Sequence, residues 1–214
     1  MKTSIKEQKK VWDAIAPEWH EYKKIPSEFS KEFLKKQKGN ILDLGSGSGR
    51  HLLKFKEEIE LKTKSKKPKR KYYLQDFSDE MIKLAEKKAK QKKISAEFTV
   101  SPMTKIPYKD NFFDAAISIS AIHCTPKKDH KKIIKEFYRV LKPKAKALIG
   151  VWNVKSKRFK RAKGKEKKIG WTDKGERYYY LFDEEEIHNL FKDVGFKIIS
   201  SHNSEMMINF VVTK

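Results

Sequence analysis

A short apolar run, Ile41-Leu42-Asp43-Leu44, ends in Gly45-Ser46-Gly47-Ser48-Gly49. Alternate glycines after a strand specify a tight turn into a helix and let a ligand come close to the backbone. Such a turn belongs to a parallel sheet with helices on both faces, where ligands bind at the carboxyl ends of the strands. Gly45, Gly47 and Gly49 follow a G-x-G-x-G spacing. A dinucleotide fingerprint would need glycine at position 50, where Arg50 stands, and a Walker loop would end in Gly-Lys-Ser/Thr. Asp43 adds an acid close to the ligand, which suits an ammonium group and repels a pyrophosphate. Asp76 lies 27 residues past Gly49 and closes the next strand. A carboxylate there can accept hydrogen bonds from both hydroxyls of a ribose. The bland alternative is a tight connection, with Asp76 as a helix cap.

The rest of the chain continues the alternation. Val11 to Lys36 carries apolar residues at helical spacing, broken by Pro17 and Pro26. Arg50 to Ile59 reads as the helix after the glycines, and Lys62 to Lys71 as a solvated basic loop. Lys71–Gln75 is a second strand, and Ser78 caps a helix over Asp79–Lys92. Ala96–Val100 is the third strand and Phe112–Ser120, nearly all apolar, the fourth. A helix over Asp129–Leu141 leads to strand five at Ala145–Trp152. Asp183 opens a helix closed by Gly195, and Phe196–Ser201 and Ile208–Thr213 form a final hairpin. The pattern predicts one α/β domain over residues 1–214, with a doubly wound, mostly parallel, Rossmann-like sheet of seven strands. Residues 1–38 are expected to form a helical lid, and residues 154–176, which lack periodicity, a basic loop on the substrate side.

Charge narrows the partners. The net charge is +23, which draws polyanions, but only six of 51 basic residues are Arg, so position matters more than the total. Lys155 to Lys168 holds nine Lys or Arg and one Glu, with Phe159 among them, directly after strand five. Cations with an interleaved aromatic suit RNA phosphates and splayed bases; the alternative is a solvated loop. Cys124 is the one cysteine, so no intrachain disulfide forms and a reducing, cytoplasmic setting is expected. No membrane span, secretory signal or metal-ligand cluster is expected.

Taken together, the segment from Ile41 to Gly49, Gln75-Asp76-Phe77-Ser78-Asp79-Glu80-Met81, the run from Ile106 to Asp114, and Arg139-Val140-Leu141-Lys142-Pro143 resemble class I S-adenosylmethionine methyltransferases. Trp12-Asp13-Ala14-Ile15-Ala16-Pro17-Glu18-Trp19 resembles their lid helix. A narrower resemblance is to the archaeal and eukaryotic tRNA methyltransferases that esterify 5-carboxymethyluridine at the wobble position. It rests on Val11 to Ala16, Ser118 to His123, Val151-Trp152-Asn153, and Glu176 to Phe182. The resemblance implies S-adenosylmethionine held by Asp43, Gly45, Ser46, Gly47, Gly49, Asp76, Phe77, Met103, Ser120 and Trp19. It also implies tRNA as substrate and a small zinc-binding activator protein as partner. Three positions depart from the family pattern: Pro102 in place of an Asp that touches adenine, Cys124 in place of a histidine, and Lys144-Ala145 in place of Gly-Gly.

A carboxylate is already an ionised nucleophile, so its methylation needs alignment and desolvation more than a base. Arg177 is the expected anchor for that carboxylate, with His123 and Trp152 shaping the pocket. Arg158, Lys160, Arg161, Tyr178 and Tyr179 are the expected RNA contacts. Each has an alternative: His123 as a loop histidine bonded to backbone, Trp152 as core, the tyrosines as a strand packing its rings, and Cys124 as the nucleophile of a pyrimidine-carbon methyltransferase. Two other functions fit the same residues: a small-molecule methyltransferase acting on a quinone, lipid or metabolite, and a non-catalytic RNA-binding protein.

Overall fold

The computed structural model describes residues 3–55, 70–161 and 163–214. Its elements are α1 (Ile5–Tyr22), α2 (Glu28–Lys35), β1 (Asn40–Leu44), β2 (Lys71–Asp76), α3 (Asp79–Lys92), β3 (Ala96–Val100), β4 (Phe113–Ile119), α4 (Lys127–Val140), β5 (Leu141–Trp152), β6 (Glu166–Gly170), β7 (Glu176–Tyr180), α5 (Glu184–Lys192), β8 (Lys197–Ser201) and β9 (Met207–Thr213). Seven strands form one sheet in the order β3-β2-β1-β4-β5-β9-β8, in which β9 runs antiparallel to β5 and β8. Strand order reverses between β1 and β4, which places the glycine turn at the switch point.

The apolar runs are continuous because both faces of the sheet are covered. Leu42 and Leu44 of β1 pack on one side with Phe137 and Val140 of α4. Ile41 points the other way and packs with Phe33 and Leu34 of α2 and Ala85 and Ala89 of α3. In α3, Ser78 accepts a hydrogen bond from the Met81 N–H, and Met81, Ile82, Ala85 and Ala89 are buried. A third cluster joins Trp12, Ile15 and Ala16 of α1 to Met81, Trp152 and Tyr179.

Several expectations change. The first helix begins at Ile5, where Ser4 and Glu7 form a reciprocal capping box. It also runs through Pro17. The proline sits on the exposed side, while Trp12, Ile15 and Ala16 are buried on the other; that packing outweighs one lost backbone hydrogen bond. Within the described part of residues 1–38, α1 and the residues flanking it face the cavity described below; α2 buries Phe33 and Leu34 beneath the sheet. Residues 50–55 form a turn and an irregular segment rather than the first turns of a helix; 56–59 and the basic run 62–69 lie outside the described residues. Residues 154–176 are not one loop. Lys157–Phe159 makes a 3-10 turn that buries Phe159, and β6 pairs antiparallel with β7 from Glu166↔Tyr180 to Gly170↔Glu176. Lysines at 165, 167 and 168 hide this strand, because their long stems can lie along a sheet while the sequence reads as charge.

Candidate active site

The three glycines have separate jobs, and each has a positive φ. A Cβ on Gly45 would stand 2.2 Å from the Cβ of Ala121, so this glycine lets β1 pass the turn after β4. A Cβ on Gly49 would meet Leu52 at 2.8 Å and Ala85 at 3.1 Å, so this one closes the packing onto α3. At Gly47 the nearest atom would be the Met81 sulfur at 3.9 Å. Gly47 is therefore where a ligand can approach bare backbone.

Gly45 and Gly47 edge a cavity beneath α1. Gly45, Ser46, Gly47, Asp76, Phe77, Met103, Ser120 and Trp19 all line it, as expected of cofactor residues. Asp43 and Gly49 lie behind the wall. The Asp76 carboxylate accepts hydrogen bonds from the Gly47 N–H at 2.8 Å and the Ser78 N–H at 3.0 Å. Burial pushes its pKa up to about 6. Ser120, a non-glycine residue with φ of 60°, keeps the turn after β4 in the left-handed region beside the cavity.

Asp43 is 1% exposed. One oxygen lies 3.1 Å from His51 Nδ1, and the other has no partner. His51 lines the cavity, its Nε2 is also unpaired, and burial pushes its pKa down. A buried carboxylate oxygen without a donor is what a cationic ligand group would satisfy. With the open face of Gly47 and the acid at the end of β2, these features fit S-adenosylmethionine: ammonium toward Asp43, ribose toward Asp76.

The Pro102 turn has its own support. The Gln75 amide, fully buried at the end of β2, donates to the carbonyls of Ser101, Pro102 and Lys105. It holds Pro102, Met103 and Thr104 against the cavity where the family has an acid. Lys23, Arg50 and His51 are further lining residues not anticipated above. Arg50 and His51 adjoin the glycine turn and could have been suspected; nothing local marks Lys23. Its ammonium pKa is pushed down by burial, then by the Arg50 and Arg158 charges.

Beyond the cavity stand the residues expected to meet the acceptor. His123 occupies a 3-10 turn after β4 and is 1% exposed. Its Nδ1 accepts the Trp152 backbone N–H at 3.0 Å, and its ring stacks on Trp152 at 4.9 Å. Burial drives its pKa down to about 3. His123 is therefore neutral and tied to backbone, and it offers no positive charge to a carboxylate. Trp152 also stacks on Tyr179, at 4.2 Å, and helps close the third core cluster. Cys124 lines the cavity, but burial raises its thiol pKa, and Sγ contacts the Ser120 carbonyl oxygen at 3.5 Å; this is no thiolate nucleophile.

Arg177 on β7 is 5% exposed. Its guanidinium carbon lies 4.8 Å from the Trp171 ring centroid, 5.4 Å from those of Trp19 and Tyr179, and 5.9 Å from that of Trp12. Nη2 donates to the Gly170 carbonyl at 3.2 Å, while Nε has no partner. Among the described residues no carboxylate pairs with it. An unpaired, desolvated cation inside an aromatic cage is costly to fold and suits an anionic ligand.

Strand alternation separates the tyrosines. Tyr179 shares the face of Arg177. Tyr178 points to the opposite side, is fully buried, and donates its hydroxyl to Glu166 at 2.9 Å. Tyr178 is therefore a core residue and not an RNA contact. Arg158 lies 5.4 Å over Trp152 and 5.9 Å over Phe159, with Lys160 and Arg161 exposed just beyond. Among the described residues no group of His, Cys, Asp and Glu converges as a metal site, and no helix is long and apolar enough to cross a membrane.

Comparison with known proteins matches this architecture. Residues 41–144 match a methyltransferase domain family. The ubiquinone/menaquinone biosynthesis C-methyltransferase of Rickettsia bellii is 37% identical over 109 residues, covering 50% of this chain and 42% of that protein. The tRNA (carboxymethyluridine(34)-5-O)-methyltransferase of Arabidopsis thaliana is 31% identical over 146 residues, 67% of this chain and 32% of that protein. This chain thus aligns with less than half the length of each. Among solved structures, a Methanosarcina mazei S-adenosylmethionine-dependent methyltransferase superposes with a TM-score of 0.69 at 23% identity, over 89% of this chain and 98% of that one. A chain of the Haloferax volcanii complex between the Trm112 methyltransferase activator and a methyltransferase gives 0.67 at 16% identity, over 98% and 97%. Residues 41–144 thus match a methyltransferase domain, and the chain as a whole has the fold of the class I, S-adenosylmethionine-dependent methyltransferases.

Proposed function

We propose that the protein methylates the carboxylate of 5-carboxymethyluridine at the wobble position of tRNA, forming the methyl ester. The observation that carries this reading is Arg177, a buried cation with no acid paired to it among the described residues, adjoining the cofactor cavity. The family match stops at residue 144, ahead of Arg177, so the acceptor must be read from residues beyond it. Cys124, which lines the cavity, feels the charges of both Arg177 and Asp76, so it marks the border between acceptor and cofactor sites.

Bound S-adenosylmethionine supplies an electrophilic methyl on a sulfonium. The protein's part is to hold the cofactor through Asp43, Gly47 and Asp76, and to hold the acceptor through Arg177. Lys23 and Arg50, at the same cavity, can offset the cofactor's carboxylate. None of these three groups is poised as a strong base: His123 is tied to backbone, Cys124 stays a thiol, and Asp76 is engaged by two N–H groups. That suits an acceptor that arrives ionised, and disfavours one that must lose a proton at carbon. Alignment of two bound partners supplies roughly 7–11 kcal/mol of such a barrier.

The name of the Arabidopsis relative supports this acceptor, and the Haloferax complex supports a small activator protein as partner. The match to quinone methyltransferases favours a small-molecule acceptor as the second reading. Methyl-labelled S-adenosylmethionine with tRNA lacking the terminal wobble methyl, with and without a zinc-binding partner, separates them. Label on a modified uridine that mild alkali removes supports the ester. Alkali-stable label on RNA means base or ribose methylation. No label on RNA, with cofactor bound, moves the weight to a small molecule or to a non-catalytic RNA-binding role.

Two further results are expected. Cofactor affinity should weaken about tenfold per pH unit as pH falls below about 6, because Asp76 must be ionised to accept both ribose hydroxyls. The stability contribution of Asp76 runs the other way. Its pKa is raised from 3.8 to about 6 on folding, so the cofactor-free protein loses stability from this group as pH rises through that interval. Calorimetry from pH 5 to 8 checks the first point, and flat affinity down to pH 5 would remove Asp76 from ribose recognition. The second result concerns Arg158, Lys160 and Arg161. Changing all three to Ser should reduce the slope of log affinity for tRNA against log salt by about 2, at roughly 0.7 per lost phosphate contact. Filter binding between 50 and 200 mM salt, as an order-of-magnitude range, would show an unchanged slope if the segment touches no phosphate.

A further inference from the structure

Arg177 is not the only unsatisfied donor in its cage. The Trp12 indole N–H and the Tyr179 hydroxyl are also buried without a partner, alongside the Arg177 Nε–H. Trp12 is 7% exposed and Tyr179 1%. Both rings flank the same guanidinium, at 5.9 and 5.4 Å from its carbon. Trp12 also lines the cofactor cavity, and Tyr179 is close enough to Cys124, another lining residue, for their charges to interact. Native proteins rarely leave one buried donor unbonded, and each such group calls for an explanation. Three such groups around one cation, at the edge of a cavity, call for a ligand that only accepts.

A carboxylate meets that demand. It has two oxygens with about four acceptor sites and no donor. An amide of the same shape would turn its NH₂ toward the indole and guanidinium N–H groups, which cannot accept. A methyl ester would keep one good acceptor and lose the charge. We propose that Trp12 and Tyr179 are specificity-determining residues: with Arg177, they read both oxygens of the acceptor carboxylate and reject its amide and its ester. This rests on the carboxylate reading of the Arg177 site, and it goes further in assigning neutral donors to it. The product then loses the contact that held the substrate, which favours its release. The reaction that supplies the substrate must be one that creates a carboxylate.

The assignment also gives α1 a part in acceptor recognition, since it brings Trp12. Two side chains seat that helix. The Gln8 amide donates to the Glu176 carbonyl at 3.1 Å and accepts the Tyr178 N–H at 2.8 Å, so it docks on the edge of β7. Asp13 accepts from the Ser78 hydroxyl at 2.6 Å, next to the ribose acid.

Trp12→Phe and Tyr179→Phe each remove a donor and keep a ring. Each should lower kcat/KM for carboxymethyl-tRNA by about 10- to 100-fold, mainly through KM, with cofactor affinity within about twofold. The independent readout is the indole N–H resonance of Trp12 in protein saturated with S-adenosylhomocysteine. It should shift on adding the nucleoside 5-carboxymethyluridine and stay put with the 5-carbamoylmethyl analogue. Loss of carboxylate methylation in Arg177→Ala, with both Phe variants unimpaired and no indole shift, would overturn this inference and leave the carboxylate reading intact. Absence of any carboxylate methylation by the unaltered protein would remove the reading on which it rests.

Discussion

Arg177→Met is expected to melt at a higher temperature than the unaltered protein and to lose almost all transfer to a carboxylate. Arg177 is 5% exposed, has no carboxylate partner among the described residues, and leaves Nε unbonded. Burying an unpaired charge costs several kcal/mol. Its contacts with four aromatic rings and one bond to the Gly170 carbonyl return part of that. Methionine keeps the length, fills the cage and makes favourable sulfur–aromatic contacts. A net gain of about 1–2 kcal/mol would raise Tm by roughly 2–8 °C for a chain of this size. The acceptor site would meanwhile lose its cation. Removing one partner of a buried charged contact costs about 2–5 kcal/mol, which is roughly 30- to 5000-fold in kcat/KM. Scanning calorimetry and steady-state kinetics on one preparation check both signs. A lower Tm with normal kinetics would make Arg177 a structural cation of the cage.

Gly45→Ala and Gly47→Ala should separate packing from cofactor approach. At Gly45 the new methyl would stand 2.2 Å from the Ala121 Cβ, and φ is +71°. The left-handed backbone costs about 1–2 kcal/mol for alanine, and the overpacking a further ~1–3 kcal/mol. The segment displaced is the one that carries Ser120 and His123, so cofactor binding should fall with stability. Adding Ala121→Gly removes the clash and leaves the φ cost, so the double variant should recover about half of the lost stability. Gly47→Ala meets nothing closer than 3.9 Å. Its stability cost should stay near the backbone figure, about 1–2 kcal/mol. Its methyl intrudes on the open side of the cavity, so cofactor affinity should still fall more than about tenfold, or 1.4 kcal/mol. Chemical denaturation and calorimetry on the three variants check the pattern. Equal stability losses at both glycines would mean the turn is only a tight connection.

The seven-stranded fold and much of the cofactor site were legible in the sequence because their signals are local. A short strand with three apolar residues, a glycine-rich turn and a capped helix with a buried stripe each declare themselves within a few residues, as at Asn40–Leu44, Gly45–Gly49 and Ser78–Lys92. Asp76 was legible for the same reason: it ends a strand. The acceptor side was not. Period-two alternation says that Tyr178 and Tyr179 point to opposite faces, but only the pairing of β7 with β6 and with α1 decides which faces the cage. The helix through Pro17 depends on what its far side packs against. The neutrality of His123 depends on its burial, and its ring is fixed by a backbone N–H 29 residues away. The isolation of Arg177 is a statement about every carboxylate among the described residues, none of which pairs with it. Periodicity and turn chemistry act between chain neighbours, so sequence alone determined the sheet and the glycine turn. Burial, charge pairing and orphaned donors depend on residues far apart in the chain, so only the tertiary structure decided which side chains gather around Arg177.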